Sequence, residues 1–264
     1  MTLRGANWQG KIEFAEPAHA PNGVRGQIID GTLAAAALLD GIPCRKGSQV
    51  AFFWGGQLMS CTLSQDTDIT ATLLKSDGTA QAPKLRCLAN DTVRLDGLRF
   101  GELGGCRLAA PGEFGDMSCA AGERILISNG HVAACTFARP ARLGPLDLPA
   151  GTAVTYYERR PSNFRLPAEI GPIAGFGLSL PAGTEAAFCY REDMPERLLV
   201  SRAAYVTVEN LRLTGFIEFD CSADGRFNSG MLFEDAIIGG KWRQRGETFF
   251  RDDLRLGMGK SDSD

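Results

Sequence analysis

Histidine is nearly missing from this chain: only His19 and His131 occur among 264 residues. The eight cysteines form no Cys-x-x-Cys pair, so ligands for a zinc site are too few and no metal is assigned. A basic excess is missing too. Twenty-eight Lys and Arg stand against 31 Asp and Glu, a net charge of −3, and phosphate-driven nucleic-acid binding is not expected. The longest apolar run, around Leu33 to Leu39, falls far short of the roughly 20 residues that cross a bilayer, so no membrane span is expected. The opening residues, Met1 to Trp8, carry no apolar signal-peptide core. No Gly-x-Ser-x-Gly elbow, P-loop, dinucleotide fingerprint or His-Glu-x-x-His occurs, and no catalytic residue or cofactor is assigned. The glycine-rich stretch Gly101 to Gly105 is followed by no helix start, which removes the phosphate-cradle reading.

What the chain does have is turns and apolar material. With 32 Gly and 13 Pro, frequent turns favour short strands over long helices. At 44% hydrophobic and 22% charged residues it can build a core, as one or two domains or one elongated repeat array.

Internal self-similarity organises it. Cys44, Gly47, Val50 and Phe52 recur as Cys119, Gly122, Ile125 and Ile127, at offsets of zero, three, six and eight. Gly56, Leu58, Cys61 and Leu63 then recur as Gly130, Val132, Cys135 and Phe137. The first half returns with leucine in place of cysteine at Leu148, Gly151, Val154 and Tyr156, and at Leu180, Gly183, Ala186 and Phe188. The second half is matched at Gly31, Leu33, Ala36 and Leu38, at Leu103, Cys106 and Leu108, and loosely at Gly225, Phe227, Gly230 and Leu232. Apolar residues two apart, such as Val50 and Phe52, predict strands buried on one face, entered through glycine turns. One such unit cannot bury its apolar face alone, whereas a series can. The expected fold is all-β: stacked β-hairpin repeats in a β-solenoid-like array, with few or no helices. Its divisions are an irregular lead-in over 1–30, a regular repeat region over 31–140, a divergent region with insertions over 141–256, and a polar tail over 257–264. The best helix candidate is Met194 to Arg202.

Cysteines at 44, 61, 106, 119 and 135 are expected to be reduced and inward-facing, since leucine replaces cysteine in the weaker copies. Reduced thiols imply the cytoplasm; the alternative is a periplasmic or secreted protein whose signal has been removed. Asp66, Asp91 and Asp235 follow strands at matching corners and read as local Asx turns rather than a cation ladder. The nearby carboxylates Asp66 and Asp68 could also form an acid/base pair. His131 follows a turn and should point outward, and His19 sits in a loop.

Two clusters mix aromatic residues with arginine: Tyr156 to Arg165, and Lys241 to Arg245. Such mixtures suit binding surfaces because they join large contact area to directed donors. The partner-binding candidates are Tyr157, Arg159, Arg160, Arg165, Trp242 and Arg243. A solvated basic loop with Tyr156 in the core is the structural alternative.

The units Gly41-Ile-Pro-Cys44 through Phe52 and Gly56 through Leu63, with their copies after Met117, resemble the MORN-like or β-solenoid repeat proteins of bacteria. That resemblance covers about residues 31 to 140 well. The Tyr-x-Gly-x-Trp core of MORN repeats is not present. It implies a repetitive all-β scaffold in binding or structural roles, and it carries over no catalytic residue. The expected function is therefore a non-catalytic scaffold that binds a protein or envelope partner. The rival is an enzyme (isomerase, cyclase or hydrolase) with carboxylates in a groove or at the end of the array.

Overall fold

The computed structural model describes residues 2–3, 6–14, 28–53, 55–74, 78–96, 102–114, 117–143, 146–157, 160–173, 178–191, 194–208, 211–221, 227–238 and 241–250. The described residues are all β, with no helix among them. None therefore forms a helix long and apolar enough to cross a membrane. The chain divides into two compact units, Met1–Ala138 and Arg139–Asp264.

In the first unit an antiparallel meander runs through Ala6–Phe14, Ile28–Leu33, Gln49–Phe52, Leu58–Thr62, Thr92–Leu95, Leu103–Arg107, Arg124–Ser128 and His131–Thr136. Gln49–Phe52 and Leu58–Thr62, and Arg124–Ser128 and His131–Thr136, are joined by short connections. Other connections carry small two-stranded arms: Ala37–Leu39 with Ile42–Cys44, Thr67–Thr70 with Lys84–Cys87, and Gly112–Phe114 with Met117–Cys119. The second unit repeats the scheme through Ala153–Tyr157, Arg160–Arg165, Glu185–Arg191, Met194–Arg202, Leu211–Asp220, Phe227–Leu232 and Thr248–Phe250. Its arms pair Ala141–Leu143 with Leu146–Leu148, Ile170–Ile173 with Leu178–Leu180, and Ala236–Ile238 with Lys241–Arg243.

Five of the arms return to the sheet through the same kind of corner. The Gly47 N–H donates to the Leu33 carbonyl while the Leu33 N–H donates to the Ser48 carbonyl. The same reciprocal pair joins Gly122 and Glu123 to Leu108, Gly183 and Thr184 to Leu166, and Gly246 and Glu247 to Leu232. The corner requires a positive φ, 75° at Gly47, which glycine adopts without a Cβ clash. Asn90 holds the equivalent place at 62° and bonds Leu63 in the same way. That makes Cys87, Asn90, Val93 and Leu95 a further copy of the repeat, hidden in the sequence because asparagine, which also tolerates this conformation, stands where glycine was sought.

The core forms from the inward alternate residues of sheet and arms. Val50, Phe52, Ile125, Ile127 and Val154 are all buried at equivalent places in their hairpins. Three disulfides fasten arm to sheet in the first unit: Cys44–Cys61, Cys87–Cys106 and Cys119–Cys135. All six cysteines are buried, as expected for the five at 44, 61, 106, 119 and 135, but the expectation of reduced thiols is overturned. The leucine argument failed because it followed one position at a time. By register Phe164 and Val200 occupy the place of Cys61 and Cys106, so the copies with Leu148 and Leu180 replace both members of the pair by apolar residues. All four are buried.

Other corrections follow from pairing. Ala6–Phe14 is a strand, not part of an irregular lead-in, because it pairs with Ile28–Leu33. Met194–Arg202 is a strand rather than a helix, held between Glu185–Arg191 and Leu211–Asp220 with Leu198 and Val200 buried. Leu33 plays the part of Leu63, not of Leu58, and Leu38 is 71% exposed on an arm. The alanine-rich run preserved the spacing of the repeat without its core. Residues 257–264 lie outside the described residues.

Candidate functional site

The corner aspartates hold the scaffold. Asp66 accepts the Ala89 N–H at 2.9 Å, Asp91 the Arg107 N–H at 2.8 Å, and Asp235 the Arg245 N–H at 2.7 Å. Asp40 accepts from Leu58 in the same way at 2.6 Å. These bonds reach between 10 and 23 residues along the chain, so the reading as local Asx turns is replaced by long-range backbone staples. Asp66 also faces Arg86 at 3.7 Å. His131 is half-buried at the start of its strand, and His19 lies outside the described residues.

The partner-binding candidates fall into separate places. Tyr157 is 70% exposed and pairs across the hairpin tip with Arg160, whose guanidinium lies 5.9 Å from the Tyr190 ring. Arg159 lies outside the described residues. Arg165 stands five residues along the strand from Arg160, roughly 16 Å at 3.3 Å per residue, and faces Glu185 at 4.0 Å. Trp242 is 62% exposed on the last arm. Arg243 beside it is half-buried and paired with Glu247 at 3.7 Å, three residues before the corner glycine, where other copies carry Cys44 or Cys119. The structure thus joins Tyr157 to Arg160 and separates both from Arg165 and Arg243.

Behind that tip the phenols are tuned. Burial, then the neighbouring Tyr190, pushes Tyr156 up to about 12; burial, then Cys221, pushes Tyr190 up to about 12 against the opposing pull of Arg160. Burial, then Asp220 and Cys189, pushes the Cys221 thiol up to about 12, which keeps it protonated and poorly nucleophilic at neutral pH. A phenol whose folded pKa lies above its unfolded value favours the folded state only while neutral. Stability should therefore fall as pH rises above 10, with the loss complete near 12. Absorbance at 295 nm should show two of the four tyrosines ionising only near pH 12 in the native state, and earlier in denaturant. Ionisation of all four near pH 10 in the native protein would contradict it.

Sequence reasoning missed the partner of Trp242. Ile237 lies directly across the arm from it and is 69% exposed. The corresponding cross-arm pairs of three other arms are polar: Asp68 with Arg86, Glu113 with Ser118 at 2.7 Å, and Arg142 with Asp147 at 3.9 Å. The first arm presents Leu38 across from Pro43. Alternation in Ala236-Ile-Ile238 was a readable signal, since only one of two adjacent isoleucines can face inward, and Ile238 is buried.

A second feature is a shallow depression of about 430 Å³ in the first unit, lined by Phe53, Arg94, Gly104, Leu126, Ser128 and Asn129. Asp96 completes its wall.

Fold and surface together define an all-β protein of repeated hairpins and arms, disulfide-fastened in its first unit. The sequence matches no family model and no curated protein.

Proposed function

We propose that this chain is a non-catalytic β-repeat scaffold, a solenoid-like array akin to MORN-like proteins, that docks a protein or envelope partner. The observation that carries the reading is the Ile237–Trp242 pair. It places two large apolar side chains in solvent at a position where three other arms put polar pairs. Exposed aromatic anchors of this kind supply most of the energy of protein interfaces. The corner carboxylates, engaged with backbone N–H groups, favour this reading over a carboxylate-based enzyme. Three disulfides support an oxidising compartment, periplasmic or extracellular, in place of the cytoplasm expected from reduced thiols.

The test is Trp242→Ala combined with Ile237→Ser. Both side chains are exposed, so the melting temperature should change little. Capture of envelope proteins from the native host should drop by tenfold or more, corresponding to roughly 1.4 kcal/mol or above for an anchor residue. Equal capture by the double variant, with Tyr157→Ala and Arg160→Ala reducing it instead, would move the docking surface to the hairpin tip.

A further inference from the structure

We propose that the depression in the first unit is a binding site for a small organic monocarboxylate, with Arg94 as its charge anchor. The repeat itself supplies the comparison. In five hairpins the returning strand carries one extra residue opposite the outgoing strand: Met59, Gly104 and Ala133 in the first unit, Ser162 and Asn228 in the second. A bulge of this kind twists the strand and re-aims its neighbours. Only in the hairpin of Thr92–Leu95 and Leu103–Arg107 are the extra residue and the next both glycine, so bare backbone replaces two side chains.

Gly104 eases a tight approach there. A Cβ on it would lie 3.1 Å from the Leu95 carbonyl carbon and 3.2 Å from the Asp96 nitrogen. Gly105 pairs directly with Arg94 on one side and Leu126 on the other, all on the sheet face away from the core. Gly105 is buried, and a Cβ there would meet the Ile125 carbonyl oxygen and Leu126 Cδ2 at 2.9 Å, so Leu126 packs down on its backbone on one flank while Arg94 stands on the other.

Arg94 is not a residue the scaffold asks for. The equivalent positions hold Ala51, Leu126, Thr155, Ala187 and Glu218. Glu218 is neutralised by Arg197 at 3.1 Å. Arg94, flanked across the strands by Ser60 and Gly105, is exposed and has no ion pair among the described residues. A guanidinium fork so placed suits a carboxylate. Ser128 and Asn129 add hydroxyl and amide groups from the neighbouring hairpin tip, while Phe53 and Leu126 offer an apolar body contact. Asp96 on the same wall disfavours a second negative charge, which selects a monoanion over a phosphate. A volume of about 430 Å³ suits a small molecule.

Benzoate is the probe, with benzamide as its neutral isostere, followed by ligand-detected NMR on the full oxidised chain. Benzoate should bind saturably, and benzamide roughly tenfold or more weakly, as expected for loss of a charge-assisted bond. Arg94→Gln should bring benzoate down to the level of benzamide. Arg94→Lys should keep part of the preference, and Arg107→Gln, an exposed arginine on the same strand pair, should leave it unchanged. Circular dichroism of each variant checks the fold. Absence of saturable benzoate binding, or equal binding by Arg94→Gln and the unsubstituted protein, would overturn the proposal.

Discussion

Thiol titration of the denatured, unreduced chain is expected to register two thiols, Cys189 and Cys221, and eight after reduction. The three disulfides close sequential, non-overlapping loops with separations of 17, 19 and 16 residues. In the chain-entropy view each loop of this length contributes about 3 kcal/mol by restricting the unfolded state. Because the loops do not overlap, their contributions add to about 9 kcal/mol, comparable to the whole stability of a typical domain. Reduction under native conditions should accordingly unfold the first unit, read as a large fall in melting temperature and new proteolysis within residues 28–138. The substitution pattern of the second unit offers a finer check. Cys119→Leu with Cys135→Phe, which copies Leu148 and Phe164, should retain more stability than Cys119→Ala with Cys135→Ala, which leaves a cavity. Eight titratable thiols before reduction would refute the staples.

Phe52→Ala is expected to cost about 3–5 kcal/mol in chemical denaturation of the oxidised protein. Phe52 is buried, and its ring lies 6.0 Å from that of buried Trp8 in a tilted arrangement. Truncation would therefore remove an aromatic contact as well as apolar area. Thr92→Ala, at an exposed site on the same sheet, should stay within about 0.5 kcal/mol. Similar costs for the two substitutions would mean that the inner face of the hairpins is not the core.

Much of this architecture could be read from the residues in order. Glycine three places after a cysteine or leucine, then two apolar residues two apart, is a local code. A positive-φ corner and a strand with one buried face are both decided within about ten residues. Hence the all-β class, the burial of Val50, Phe52, Ile125, Ile127 and Val154, and the outward turn of Tyr157 against half-buried Tyr156 were available from sequence. Asn90 shows the limit of reading by residue type, because the corner needs a conformation and not a particular side chain.

Pairing across space was not available. Cys44 and Cys61 are no more marked as partners in the sequence than Cys44 and Cys119, and only the fold of each arm onto its own hairpin brings the right pair within bonding reach. Strand order decided Met194–Arg202, whose residues are compatible with a helix but lie between two strands that satisfy their backbone groups on both sides. Register decided the candidate surfaces. It set Ile237 beside Trp242, put Arg165 against Glu185, and placed Gly105 between Arg94 and Leu126. The local code of this protein is written in dihedral preference and two-residue alternation, which short segments carry themselves. Its disulfides and its exposed and open sites depend on contacts between segments far apart in the chain, which exist only once the hairpins have paired.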